Sequence, residues 1–350
     1  MASYVHPVEA LLLLISATGY YTLFYLSKQN TFLSRLQDAF KKGFLPGTTA
    51  AIRTSLTGVP AIDRQLQILL MFFYPTIDGS RPAASIQLAH FGGQVVAAWG
   101  LLMLEASRTG NKGRIISLLT PWGLVMQRFS FAAALPLYLA IHLLTSPTTV
   151  PTANNLAIIS SDAASIPWSL ALGYIIPTLA LAMPAPNLIS YDMKQWVNAI
   201  WQVFPLWVGA AHQLLKRVVP ASSGPGAYRA AYLFMIYLSG VTHIVSLATT
   251  IFPPRSFGPV TFRSTFIPKS FFPSTKVTSL GEGAHQFLLY DEIIGSTALL
   301  IWTVFLDARD GGYLASGLKA LGWTALLGPS GAAAALMMKR DERVLGRKRE

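Results

Sequence analysis

The sequence predicts an all-α fold, a polytopic helical bundle integral to a membrane, with about eight to nine transmembrane helices in a single domain over residues 1–350. Three observations carry this reading. The chain is 52% hydrophobic and only 12% charged, with a mean hydropathy of +0.46, which leaves too little polar surface to cover a soluble globule of 350 residues. Its apolar residues gather into runs of about twenty, the length a spanning helix needs, separated by polar or basic stretches. The net charge of +12 sits in Lys and Arg between those runs rather than in one aromatic-laced patch, so it reads as a topology signal and not as a nucleic-acid footprint. There is no cysteine, which removes disulfides, thiolate metal sites and a Cys nucleophile.

In chain order, residues 9–26 form the first span, with no basic segment before it and no small-residue cleavage site after it, unlike a removable signal peptide. Residues 28–57 follow, where Phe32, Leu33, Leu36, Ala39 and Phe40 recur at the spacing of an amphipathic surface helix that Gly43 and Pro46 end. Spans at 61–77 and 83–104 are joined by the tight turn Asp78-Gly79-Ser80-Arg81-Pro82 as an antiparallel pair. Residues 115–145 read as one span kinked at Pro121 and Pro136, and 146–165 as a surface loop. Further spans are expected at 166–183, 195–215, 228–252, 284–306 and 315–338, with a basic, Pro-rich loop over 253–283 and a basic cytosolic tail over 339–350. Nine spans place most Lys and Arg on the side of that tail, the violation being Lys216, Arg217 and Arg229.

The chemistry concentrates where charge enters apolar runs. Asp291 and Glu292 are adjacent in the run 284–306, Asp291 roughly 10 Å inside the hydrocarbon layer. An ionised Asp there costs on the order of 3 kcal/mol, so such residues face a protein interior or a wet cavity. His285 shares a helix face with Glu292, while Asp291 points about 100° away, towards Gly295, Ala298 and Trp302. With Glu105 expected at the same membrane face and Asp78 at the opposite one, the acid candidates are Asp291, Glu292, Glu105 and, in reserve, Asp78. A carboxyl in a low-dielectric pocket is able to stay protonated and deliver its proton to a substrate. Each candidate also has a purely structural reading: Asp291 and Glu292 paired with Arg128, Glu105 snorkelling beside Arg108, Asp78 as a turn residue. Aromatic faces able to stabilise a positive centre include Tyr232, Tyr237, Tyr290, Trp99, Trp201 and Trp302. There is no Asp-Asp-x-x-Asp cluster for magnesium diphosphate, no His-Glu-x-x-His zinc site, no nucleophile elbow and no P-loop.

The stretch FYPTIDGSRPAASIQLAHFGGQVVAAWGLLML at 73–104, then Glu105-Ala-Ser-Arg108-Thr-Gly-Asn111, Gly123 to Gln127, Pro136-Leu-Tyr138, His142 to Pro147 and His285 to Trp302, resemble in their order the membrane-bound terpene cyclases of fungal meroterpenoid pathways, the ascofuranone and macrophorin type. The resemblance covers about residues 60–305 and implies a metal-independent, cofactor-free cyclase in a multi-pass membrane protein of the endoplasmic reticulum. Its substrate would be a farnesyl-type chain on an aromatic or polyketide head group, protonated at a terminal epoxide or alkene. A prenyltransferase and a monooxygenase of the same pathway would supply it. The roles expected on chemical grounds are Asp291 as acid, Glu292 or Glu105 tuning or re-protonating it, and His285 or a water removing the last proton. Tyr290, Trp302, Tyr237, Trp99, Gln127 and His142 are the substrate-binding candidates. The rival readings are a transporter or lipid-binding protein relaying protons through the same carboxylates, and a membrane prenyltransferase.

Overall fold

A computed structural model describes residues 7–220, 226–270, 275–308 and 312–346, and among them every regular element is a helix. The ends of the expected tail, and parts of two expected loops, lie outside the described residues. In chain order the helices are α1 (Pro7–Gln29), α2 (Phe32–Lys42), α3 (Pro60–Ile77), α4 (Pro82–Ala106), α5 (Leu119–Phe129), α6 (Phe131–Thr145), α7 (Ser160–Ala182), α8 (Tyr191–Gln202), α9 (Phe204–Val218), α10 (Gly226–Ile251), α11 (Phe262–Phe266), α12 (Leu280–Asp307) and α13 (Tyr313–Gly346). Six of them, α1, α4, α7, α10, α12 and α13, are long and apolar enough to cross a membrane.

The path differs from the hydropathy reading in three places. The tract expected as one kinked span is two helices folded back on each other. Tyr138 Oη donates to Ile116 O at 2.9 Å, Arg114 reaches Thr145 O at 2.6 Å, and the rings of Trp122 and Tyr138 meet at 5.4 Å. The reversal is at Ser130, whose φ of 78° and ψ of 161° belong to a region essentially reserved for glycine. α13 does the same at Gly328, with φ 73° and ψ 166°. A straight helix would hold Ser316 and Arg343 about 40 Å apart, yet both bond to Asp307. α3 stays at one end of the bundle: Gln67 donates to Thr54 O, Arg53 N donates to Gln195 Oε1, and Lys194 donates to Ile77 O, which ties the middle and the C-terminus of the helix to the start of α8 and the segment before α3.

Among the described residues the chain therefore passes from end to end six times, by α1, α4, α7, α8 with α9, α10 and α12, and two helical hairpins enter and leave at the end that holds Glu105. Consequently α4 and α12 run parallel. Arg81 donates to Ser279 at their starts, Gln87 and His90 reach Glu292 a few turns on, and Trp302 bonds to His142 near their far ends. Asp291 thus lies nearer the Asp78 end than the Glu105 end, opposite to the nine-span expectation. Because the chain contains no cysteine, single cysteines report this directly. Lys112→Cys and Arg217→Cys should label from one side of a sealed vesicle, and Lys41→Cys and Arg255→Cys only from the other. Lys112→Cys labelling together with Lys41→Cys would restore the nine-span path.

Irregular backbone deep in such a bundle is tolerated only where its polar groups are satisfied internally or line a cavity. Both hairpin tips meet this condition. At the first, Asp291 Oδ1 accepts from Ala132 N at 2.6 Å, the Ser130 hydroxyl accepts from Ala133 N, and Gly295 is seated against the Phe131 ring, where a Cβ would come within 2.2 Å. At the second, Gln94 Oε1 accepts from Ser330 N at 3.1 Å and Ser239 Oγ from Gly331 N at 2.9 Å. A Cβ on Gly328 would lie 2.7 Å from the Gln94 amide, in addition to its φ cost.

Candidate functional site

A cavity of about 720 Å³ opens at the Asp78 end, within the roughly 300–1,000 Å³ usual for small-molecule sites. Its wall on α4 runs from Ser85 to Leu102, 18 residues and so about 25 Å of helix. The mouth is formed by Asp78, Gly79 and Pro184, with Gln65 of α3 nearby. Phe32, Leu33 and Leu36 of α2 roof it, and that helix is placed by its own sequence. Asn30 Oδ1 accepts from Phe32 N at 2.9 Å to start it, Gly43 at φ 72° ends it, and Phe32 packs on the rings of Phe72 and Phe287. Part of the expected amphipathic segment thus lays its apolar face over the cavity and leaves its polar face exposed.

Below the mouth, at the level of the Phe91–Phe131 ring contact, Asp291 stands in the wall beside Ser130, with Gln127 and Arg128 on the neighbouring α5. Much of the remaining lining is aromatic. Tyr174 and Phe204 meet edge to face at 4.8 Å, Trp99 lies 5.9 Å from Phe204, and Trp201 lies 5.4 Å from Phe73. Tyr174 is turned inward by a π-helical stretch, Ala171–Ile175, and its hydroxyl donates to Gly92 O. Such insertions frequently mark functional sites. The cavity is therefore long, mostly apolar, and carries one carboxyl in its wall and one at its mouth.

The sequence-derived candidates divide among four places. Asp291, Asp78, Trp99 and Gln127 line the cavity. Asp78 also accepts from the amide and hydroxyl of Ser80, closing its turn. Glu292 points away from the cavity into a buried chain: Oε2 accepts from Gln87, Oε1 meets His90 Nδ1 at 2.5 Å, and His90 Nε2 meets His243 Nδ1 at 2.9 Å. His285 bonds to Thr265 O rather than to Glu292, Tyr290 donates to Ser270 O, and Tyr237 is exposed.

Glu105 lies at the far end in a fully buried ionic cluster. Arg108 Nε donates to Glu105 Oε1 at 2.8 Å and its Nη2 to Asp341 at 2.6 Å, while Arg340 reaches both acids at 3.2 and 3.1 Å. Tyr232 donates to Asp341, and His142, 3.4 Å from Glu105, receives the indole N–H of Trp302. Glu105, His142 and Trp302 thus share one cluster that ties α4, α10, α12 and both hairpins together, and none of them lines the cavity. Sequence reasoning passed over Tyr174, Phe204, Phe73 and Ser130. The first depends on a π-turn with no sequence signature, and the others depend on which crossing helix packs beside which.

Six helices long and apolar enough to cross a membrane, packed around an apolar, aromatic cavity with a carboxyl set into its wall, define a class of membrane-type helical proteins. Within that class the family is known: a family model described as the CtvD domain matches residues 8–345, and the chain belongs to that family. It is 29% identical to the terpene cyclase ascI of Acremonium egyptiacum over 341 residues, 93% of this chain and 88% of that one. It is 28% identical to the terpene cyclase ctvD of Aspergillus terreus, covering 84% and 86% of the two chains, and 29% identical to the terpene cyclase penA of Penicillium crustosum, covering 85% and 83%. No solved structure matches it.

Proposed function

We propose that the protein is a multi-pass membrane terpene cyclase in which Asp291 protonates the terminal epoxide or alkene of a farnesylated aromatic or polyketide substrate. One observation carries the choice of acid. Both hairpin tips expose helix N-termini that a crossing helix must cap, and at the second tip a neutral amide and a hydroxyl, Gln94 and Ser239, suffice. A carboxyl at the first tip is therefore not demanded by capping, and it stands in the wall of the cavity rather than at its mouth. On this reading the Asp291 proton goes to the epoxide oxygen or the terminal alkene carbon, and the internal alkenes close in turn on the cation. The aromatic faces of Trp99, Tyr174, Trp201 and Phe204 stabilise that cation. Loss of a proton from carbon, or attack by a head-group oxygen that then gives up its proton, ends the reaction, so product and substrate are isomers.

Asp78 at the mouth is the second acid within reach of the substrate. Glu292, held by His90, serves as the neighbouring proton reservoir, and a prenyltransferase and an epoxidising monooxygenase supply the substrate at the endoplasmic reticulum. The test is incubation of membranes bearing the protein with a terminally epoxidised farnesyl phenol and its unepoxidised parent, with and without EDTA. The expected result is a cyclic isomer of unchanged mass, undiminished by EDTA. Loss of conversion with EDTA would overturn metal independence. A mass gain of one prenyl unit would identify a prenyltransferase instead. The Glu292–His90–His243 chain favours a second reading, a proton-coupled carrier, for which neither substrate would be converted but one would cross the membrane with a proton.

A further inference from the structure

The turn at the cavity mouth uses only half of the Asp78 carboxylate. Oδ1 accepts from both the amide and the hydroxyl of Ser80, at 2.9 and 2.7 Å, and Asn or Ser closes such a turn equally well. The second oxygen has no hydrogen-bond partner among the described residues, and the side chain lines the cavity. The rim that carries it is fixed in place. Lys194, 1% exposed, donates to Leu181 O, Met183 O and Ile77 O at 2.6, 2.7 and 3.4 Å. It thereby fastens the end of α3, just before Asp78, to the end of α7, just before Pro184, and all three ammonium protons are used. Among the described residues the rim therefore presents a carboxylate oxygen with no cation bonded to it. Ser85 of α4 donates to Thr76 O at the rim, and Phe91, six residues on, marks the level of Asp291, so the two lining carboxyls differ by about 9 Å in depth.

We infer that Asp78 is a specificity-determining residue that accepts a hydroxyl of the substrate head group, an uncharged phenol, enol or alcohol, and so seats the head group at the mouth with the prenyl chain directed inward. This inference rests on the cyclase reading and names the head-group class that reading leaves open. A carboxylate only accepts hydrogen bonds, so its partner must bring the proton, and an O–H donated to an ionised oxygen is among the stronger hydrogen bonds. A head group that is itself a carboxylate is disfavoured at the same place. It would meet a like charge, and the nearby Lys194 ammonium is already committed to three carbonyls. With the hydroxyl at the rim, the apolar chain is left to the apolar wall, and the end to be protonated meets Asp291.

The test uses full-length protein in nanodiscs and three probes: a terminally epoxidised farnesyl phenol, its methyl ether, and the benzoate in which a carboxylate replaces the hydroxyl. Binding is read from the fluorescence of the cavity tryptophans Trp99 and Trp201, and turnover from product formation, so affinity is measured even without conversion. Wild-type protein should bind the phenol at least fivefold more tightly than the ether or the benzoate. In Asp78→Asn the amide oxygen keeps the bonds from Ser80, while the free atom changes from an acceptor to a donor. That variant should raise Kd and KM for the phenol about fivefold with kcat within twofold of wild type, leave the ether unchanged or tighter, and bind the benzoate more tightly than wild type does. A change that merely loosened the rim would weaken all three alike. Equal binding of phenol and ether by wild type, a wild-type preference for the benzoate, or an equal loss for all probes in Asp78→Asn would overturn the inference. Discrimination in binding without turnover would retain Asp78 as a hydroxyl site and reject only the cyclase reading.

Discussion

Asp291→Asn should abolish cyclisation, lowering kcat by about a thousandfold, within the roughly 10²–10⁴ that a positioned general acid contributes. The substitution is chosen so that its effect is chemical. Asparagine keeps a carbonyl oxygen where Asp291 Oδ1 accepts the Ala132 amide at 2.6 Å, so the cap on the first hairpin tip survives while the transferable proton is lost. Asp291→Leu removes both, leaving that amide without its partner and adding a stability loss of about 1–3 kcal/mol. The difference between the two variants in thermal unfolding, at equal loss of product formation, separates the cap from the acid.

Glu105→Gln should do the reverse, destabilising the fold while sparing the chemistry. Arg108 and Arg340 are both 1% exposed, and removing one of the two carboxylates facing them leaves an uncompensated charge in a buried site. Breaking a buried pair in this way costs about 3–5 kcal/mol, a large fraction of an ordinary folding free energy. The readout is the monodisperse peak in size-exclusion chromatography and its melting temperature in detergent. Cyclisation per folded molecule should stay near wild type, since Glu105 lies outside the cavity. Glu105→Gln combined with Arg340→Met, which removes one guanidinium along with the carboxylate, should recover a large part of the lost stability. A fall in specific activity with normal stability would return Glu105 to the catalytic candidates.

The helical membrane-type architecture was legible because apolar run length is a one-dimensional property. The helices expected at 83–104, 228–252 and 284–306 are observed as Pro82–Ala106, Gly226–Ile251 and Leu280–Asp307. The two reversals were not legible in the same way, since hydropathy is continuous across Ser130 and across Gly328 and says nothing about direction. The Gly328-Pro329 dipeptide in the middle of an apolar run is a readable turn signal. The strained Ser130 leaves none, because its conformation is imposed by the packing of the hairpin against α12. Missing the first of these hairpins, which lies between α4 and α12, inverted the expected depth of Asp291 relative to Glu105.

The acids show the same limit from the side of chemistry. An acid in an apolar run announces a partner without naming it. For Glu105 the partners include Arg340, from a tail that reads as a mere orientation signal, and for Glu292 they are Gln87 and His90 of a helix two hundred residues earlier. The 100° separation of Asp291 from Glu292, in contrast, followed from helix geometry alone, and the two side chains do diverge, one into the cavity wall and the other into the histidine chain.

The most direct measurement compares Asp291→Asn with Asp78→Asn in the same membranes, as cyclised product per folded molecule from the epoxidised farnesyl phenol. Both acids line one cavity, and only the wall position is assigned the proton transfer. Asp291→Asn should be inactive while Asp78→Asn retains at least a tenth of wild-type turnover. Full turnover by Asp291→Asn alongside an inactive Asp78→Asn would contradict the assignment and move the acid to the mouth.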